Sequence, residues 1–496
     1  MKYDIVIIGG GLGGLLCGYI LSKHGLQVVV LEKNTVVGGC LQSFRRHGVL
    51  FDTGMHYVGS LEPGQVLYRF WKYFSLLGDV RLRKLDEQAF DVISYGGMRY
   101  PSAMGYSGFR EQLGRFFPHE RQALQQYTED LHRLSVSSPI TRLEEVVQPF
   151  PLDVKYVKTS VSAYLGHLTS DPILQNVLAG NVPLYAGEKG RTPFYIHAFL
   201  HHSYIQSAFR IVGGGQTIAD SLVASIRRMG GEVWNDSEAV KFTGSLEGVT
   251  GVQLKDGRYV EGKRFISAIH PQVMVEMLNE DMVKRSYCRR MRHLGNTVAG
   301  LTVYLAFKKG KVPYYNSNFF HYAVPDVWSC AEYTKDDWPR GYLYMHQAPL
   351  DGGVYSESAQ IISYMRYDEV RAWAGTTGER RGDVYRAFKQ ERAERLIEAL
   401  NREFPGIKEQ IEFYQVSTPL TYQDYTGTVE GAMYGIARDV NNSMQSVVSV
   451  RTYLPNLYMT GQNTNSHGML GVTNGAMLTC GELIGINTII KAINNA

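Results

Sequence analysis

DIVIIGGGLGGLLCGYILSKHGLQVVVLEK, residues 4–33, decides the fold. The apolar run that ends at Ile8 reads as a strand buried on both faces, the habit of parallel sheets. Gly9, Gly11 and Gly14 follow at G-x-G-x-x-G spacing, and Leu15 to Lys23 reads as a helix stopped at Gly25. The first glycine permits a tight turn, the second lets backbone approach a pyrophosphate, and the third lets helix and strand pack closely. The helix amino terminus then presents unpaired N–H groups to phosphate. Gln27 to Leu31 is the next strand, and Glu32 ends it where a carboxylate accepts hydrogen bonds from a ribose. Strand, turn, helix and acid are independent conditions, so their coincidence argues against a ligand-free glycine turn. The dinucleotide-contact candidates are Gly9, Gly11, Gly13, Gly14, Glu32 and Lys33.

This stretch alone fits NAD or FAD. What separates them is a second glycine-rich segment, Gly38-Gly39 followed by GCLQSFRRHGVLFDTGMHYVG over residues 39–59, for which an NAD site has no need. Residues 32–59, EKNTVVGGCLQSFRRHGVLFDTGMHYVG, resemble the corresponding segment of the flavoprotein family of phytoene desaturases, carotenoid isomerases and retinol saturases. Gly-Gly-Cys and FDTGMHYVG are most similar to the retinol saturase branch, where carotenoid desaturases usually carry FDxGP. The resemblance implies FAD, with Gly38, Gly39, Cys40, Gly54 and Met55 against it. It brings His56 and Tyr57 close to the isoalloxazine, as candidates for handling a proton or as packing for the ring.

Phe209 to Val212 reads as a strand running into Gly213-Gly214-Gly215, and Ile218, Leu222, Val223, Ile226 and Met229 share one helical stripe. A second nucleotide site there is disfavoured, because the third fingerprint glycine would fall at Ile218 and no acidic strand end follows. Lys255 to Arg258 reads as a hairpin turn, and the resemblance matches Val240 to the valine whose backbone meets the adenine. Near the other end, NLYMTGQNTNSHGMLGVTNGAMLTCGELIG (456–485) reads as strand, turn and a helix entered at about Val472. A helix amino terminus aimed at a flavin stabilises negative charge on the reduced ring. The resemblance places Gly461, Gln462, Gly471 and Val472 beside the cofactor, with Asn463 where many relatives carry an acid, and it extends to TPLTYQDYTGTVEGAMYG (418–435).

The expected architecture is α/β: a Rossmann-like FAD-binding domain of the amine-oxidase (GR2) type, with an inserted α+β substrate domain. Residues 1–65, 206–295 and 425–496 form the first, and 66–205 and 296–424 the second. Residues 64–83 and 191–209 mix aromatic, aliphatic and basic side chains, as ordinary core helix or as the wall of a greasy cavity. GLTVYLAFK, NFFHYAV, GYLYMHQ and IISYMRY read as an antiparallel sheet, and Asp383 to Phe404 as an exposed amphipathic helix capped by Asp383. His197 and His201 stand four apart, but spacing ties no third ligand to them, so no metal is expected. The basic cluster around Lys284 to His293 reads as a solvated helix face, or as a contact for anionic lipid.

Lys plus Arg number 51 against 47 for Asp plus Glu, too even a balance to draw nucleic acid or a polyanionic substrate. Five scattered cysteines make no disulfide framework. With no recognisable leader and no long apolar window, the expected location is cytoplasmic, with peripheral membrane contact left open. The leading expectation is an FAD-dependent oxidoreductase acting on C=C bonds of a long apolar polyene, with NAD(P)H a candidate transient electron donor. A flavin amine oxidase and a non-catalytic flavin or lipid carrier are the alternatives. Oligomeric state has no signature in the sequence.

Overall fold

The computed structural model describes residues 2–147, 157–376 and 378–496. The opening strand, Lys2–Ile8, lies at the centre of a seven-stranded sheet. Val28–Leu31 and then Glu232–Trp234 extend it in parallel on one side, and Tyr259–Ser267 pairs in parallel on the other. The far edge of Tyr259–Ser267 is shared. Its first half takes the antiparallel strand Gly248–Leu254, backed by Ala239–Ser245, and its second half takes Leu457–Met459 in parallel. Alternate residues of the first strand serve two cores. Ile5 and Ile7 pack under the helices Leu12–Lys23, Gln216–Arg228 and Gly468–Ile484, while Tyr3, Val6 and Ile8 face the opposite side. Burial on both faces explains why this strand reads as an unbroken apolar run.

A second seven-stranded sheet runs in the spatial order Ile411–Ser417, Gly300–Phe307, Ser358–Tyr364, Gly341–His346, Asn318–Tyr322, Asp91–Tyr95 and Met98–Ser102. Every pairing is antiparallel except that of Asn318–Tyr322 with Asp91–Tyr95. That parallel pairing joins two sequence segments more than 200 residues apart into one lobe. A three-stranded sheet, Val58–Gly59, Ala208–Val212 and Arg81–Lys84, ties this lobe to the first.

Three sequence expectations shift. The first helix begins at Leu12 and the late one at Gly468, rather than at Leu15 and about Val472. Glycines crowd both first turns and carry no hydrophobic signal, so the apolar stripe announces each helix a turn late. The helix expected from Asp383 spans Gly382–Glu403 with Arg381 at the N-cap position and no capping side chain, while Asp383 pairs with Arg386 inside the first turn. Nor is it an exposed helix throughout: Leu396, Ile397 and Leu400 are buried, and Arg392 is buried and bonded to Glu369 at 2.6 Å. No single described helix is long and apolar enough to cross a bilayer; Gly468–Ile484 and Ile486–Asn494 meet that test only as a pair bent by 119°.

Candidate active site

Register sets the site. Ile8 pairs with Leu31 and Ser267, and Ser267 with Met459, so the carboxyl ends of three neighbouring parallel strands and of Leu457–Met459 fall on one edge. Ligands of open α/β sheets bind at that edge. Gly9, Glu32 and Gly461 emerge there. Gly9 has φ of +102°, and a Cβ on Gly14 would sit 2.0 Å from the Gly9 carbonyl oxygen, so both positions require glycine. A Cβ on Gly13 would lie 2.8 Å from Gly461 Cα and 3.5 Å from Val472 Cγ1, which brings the two ends of the chain together. Gly11 bridges to Gly38, and Gly38 N–H donates to the Gly10 carbonyl at 2.8 Å. The two glycine-rich segments therefore form one surface. No side chain caps the Leu12–Lys23 helix, whose amino terminus stays open to phosphate.

The Glu32 carboxylate accepts from Gly10 N–H at 2.8 Å and from Asn34 N–H at 2.9 Å. Each oxygen keeps a second lone-pair direction for a ribose hydroxyl. Lys33 turns outward, its amine donating to the Asp424 carbonyl at 2.7 Å. Val240 is exposed at a bulge between Ala239 and Lys241; three residues earlier, Ser237 N–H reaches the Glu32 carbonyl at 2.7 Å.

The segment from Cys40 to Tyr57 is braced from behind. Asp52 accepts from Ser43 Oγ at 2.8 Å and from Gly215 N–H at 3.0 and 3.1 Å. A Cβ on Gly215 would meet Leu41 O at 2.8 Å and Met55 Cβ at 2.9 Å. The Gly213 to Gly215 turn is thus a support pressed against this segment. Gly54 lies as closely over Cys40.

Beside Tyr57, at the end of this segment, lies a cavity of about 580 Å³. Its wall includes Tyr57, Leu67, Tyr195, Phe199, Leu200 and Tyr204, together with the turn from Asn465 to Gly471. The stretches 64–83 and 191–209 both contribute to it. The helix beginning at Gly468 has no side-chain cap and brings its amino terminus to the same wall. Cys40 has accessible surface, yet burial pushes its thiol up, so that surface faces the interior. Burial lowers His56 and His467 to about 4. Both are neutral at pH 7, and His56 Nδ1 and His467 Nε2 are buried without a hydrogen-bond partner. His467 also packs on Tyr434 at 4.5 Å. Tyr57 is buried, and its hydroxyl donates to Asp91 Oδ2 at 2.8 Å.

Several residues here escaped sequence reasoning. Asp52 lies within the quoted FDTG motif and could have been found there. Asn463, which the sequence marked only as standing where relatives carry an acid, is buried and accepts from Ile436 N–H at 2.9 Å, shaping the turn before Gly468. Asp91 and Arg210 have partners far along the chain and carry no local signal. Both ring nitrogens of His197 are engaged, Nε2 by Tyr127 at 2.7 Å and Nδ1 by Tyr185 at 3.0 Å, so the 197/201 pair is no metal chelate. In the basic cluster, Arg292 pairs with Glu276, and Arg290 donates to the carbonyls of Gln445 and Val447.

An open helix amino terminus beside two glycine turns and an acid at the second strand end fit a flavin dinucleotide. Gly9 to Gly14 and Glu32 would hold its nucleotide end, and Gly39 to Met55 with Gly461 to Val472 its ring. When bound, a flavin supplies hydride transfer; the chain itself must orient the substrate and manage a proton.

Known proteins agree with this geometry. Residues 7–74 match the NAD(P)-binding Rossmann-like domain family. Human all-trans-retinol 13,14-reductase is 25% identical over 97% of this chain and 86% of its own. Chloroplastic prolycopene isomerase of Arabidopsis thaliana is 21% identical over 93% of this chain and 79% of its own. Among solved structures, an oxidoreductase from Methanosarcina mazei superposes with a TM-score of 0.67 at 18% identity, over 96% of this chain and 99% of its own. Cyclohexylamine oxidase from Brevibacterium oxydans gives 0.60 at 14%, over 100% and 98%. The protein is a flavin-dependent oxidoreductase with the amine-oxidase-like fold. Over nearly its whole length it is similar to all-trans-retinol 13,14-reductases and prolycopene isomerases.

Proposed function

We propose that the chain binds FAD and adds hydrogen across, or removes it from, a C=C bond of a long apolar polyene, with NAD(P)H as a transient electron donor. The observation that carries this reading is the largely apolar cavity of about 580 Å³ bounded by Tyr57 and by the turn from Asn465 to Gly471. Its volume is that of a site enclosing a sizeable ligand. The names of the relatives support the substrate class, since both act on conjugated chains. In this reading residues 1–65, 206–295 and 425–496 hold FAD, and 66–205 and 296–424 shape the substrate site. A polyene partitions into bilayers, so we place the protein in the cytoplasm with peripheral membrane contact. Half-buried apolar residues of the cavity wall, Ile140, Val146 and Ile486, are candidates for that contact.

The test is the flavin spectrum of the purified protein, then anaerobic reduction and addition of a polyene panel that includes retinol. Reoxidation of the flavin with loss of the polyene band is expected. The reading is overturned if the flavin stays reduced with every polyene while amines reduce its oxidised form and release hydrogen peroxide. A bound flavin that no donor reduces overturns it in favour of a carrier.

A further inference from the structure

Next to the wall that Tyr57, Leu200 and Tyr204 give the large cavity, a line of polar side chains crosses an otherwise apolar core. Asp91 is 1% exposed and accepts from Tyr57 Oη at 2.8 Å, Asn181 Nδ2 at 2.6 Å and Asn318 Nδ2 at 2.8 Å. Beside it lies a small cavity of about 10 Å³, whose wall includes Asp91, Asn181, His201 and Tyr204. That is about the room one water requires. His201 is buried, its Nδ1 meets Tyr127 Oη at 3.2 Å, and its Nε2 has no partner. Tyr127 Oη also meets His197 Nε2 at 2.7 Å, and Tyr185 Oη meets His197 Nδ1 at 3.0 Å. Tyr185 borders another small cavity, of about 20 Å³, shared with the partly exposed Glu188.

One assignment of hydrogens satisfies the whole line. Tyr185 donates to His197 Nδ1, His197 Nε2–H to Tyr127, and Tyr127 to His201 Nδ1, which leaves His201 Nε2–H facing the 10 Å³ cavity. A buried N–H without a partner calls for a water there. Resting on the polyene reading above, we propose that one water bridges His201 and Asp91, and that Asp91 reloads Tyr57 with a proton after Tyr57 protonates the substrate.

The step balances. One alkene carbon receives a hydride, with both electrons, from the reduced flavin, and the other receives the proton of Tyr57 Oη. The phenolate takes the carboxyl proton of Asp91, and the carboxylate takes one from the bridging water. His201, Tyr127, His197 and Tyr185 each pass one proton on, and solvent at the Glu188 side supplies the last. The flavin ends oxidised and the C=C bond saturated.

The ionisable groups facing Asp91 are Tyr57, Tyr204, His201 and Arg210, the last bonded to Asn318 Oδ1 at 3.0 Å. Arg210 favours the carboxylate, but burial outweighs it and raises Asp91 to about 7. Below that pH the carboxyl donates to Tyr57 and frees the phenol hydrogen for the large cavity. Above it, Tyr57 donates to the carboxylate and the hydrogen is turned away. Proton delivery therefore falls as pH rises through about 7.

Infrared titration of the purified Asp52→Asn protein, which lacks the other buried carboxyl raised to about 7, reads Asp91 without any substrate. A carboxylic C=O band that disappears near neutral pH is expected; Asp91→Asn removes it, and His201→Asn shifts its midpoint. Stopped-flow reoxidation by a polyene should lose its alkaline limb in Asp91→Asn, with a rate about 10²-fold lower at pH 6. Tyr127→Phe should keep the first turnover and slow the following ones. A band unchanged in Asp91→Asn, or a pH profile that survives that substitution, overturns the proposal. So does a Tyr127→Phe variant that matches wild type over many turnovers. If no polyene reacts, the polyene reading falls, and the infrared arm alone decides whether His201 and Asp91 share a water.

Discussion

Replacing Asp52 by Asn isolates a cost that the fold carries at neutral pH. Asp52 is 2% exposed and holds the turn at Gly215 against the segment from Cys40 to Met55. Burial raises it from 3.8 to about 7, although its bonds to Gly215 and Ser43 act the other way. Between those two values the folded protein binds a proton that the unfolded chain has released, so stability falls as pH climbs from about 4 to about 7. A shift of that size corresponds to about 4 kcal/mol, at about 1.4 kcal/mol per unit. An amide preserves the geometry, its oxygen accepting from Gly215 and its nitrogen donating to Ser43, and it does not titrate. Asp52→Asn should therefore gain on wild type by about 3 kcal/mol between pH 5 and pH 8, an amount urea unfolding resolves readily. Asp91 is present in both proteins, so its own titration cancels in the difference. A difference that stays constant between the two pH values, or a variant less stable than wild type at pH 8, refutes the reasoning.

Gly14→Ala sets a methyl group 2.0 Å from the Gly9 carbonyl oxygen and should abolish flavin retention, read as the ratio of flavin to protein absorbance. Glu32→Ala leaves the Gly10 and Asn34 N–H groups without acceptors, each worth about 1–3 kcal/mol if it stays dry, and should weaken flavin affinity at least tenfold in a fluorescence titration. Leu200→Trp fills part of the large cavity. It should raise KM for the polyene without changing flavin content.

The nucleotide half of the site was legible because its determinants are local. A strand, a turn and a helix within thirty residues need only period and glycine spacing to be recognised. The ring end was legible through resemblance, which reached Gly38 to Met55 and Gly461 to Val472. What escaped depends on distance. Tyr57 meets Asp91 across 34 residues, and Asp91 meets Asn318 across 227. No periodicity within a window links such positions. Lys33 shows the converse: it adjoins the ribose acid in sequence, yet its amine reaches the Asp424 carbonyl, 391 residues on, and faces out of the site. Helix starts were misplaced where glycine, chosen for close approach, removed the apolar stripe that marks a first turn.

Cys17 in the first helix meets Thr460 across 443 residues, beside the Gly13 and Gly461 contact. At about 5–20 residues per second, a ribosome makes the second partner roughly 20–90 s after the first. For that interval the first helix is without Thr460, and from the time Tyr259–Ser267 is made that strand waits for Leu457–Met459. The second half of Tyr259–Ser267 therefore keeps an apolar sheet edge uncovered until residues 457–459 emerge. A chaperone that holds early segments should raise the yield of active protein more than a larger supply of flavin does, because no complete surface exists for the cofactor to stabilise until Gly461 has joined Gly13.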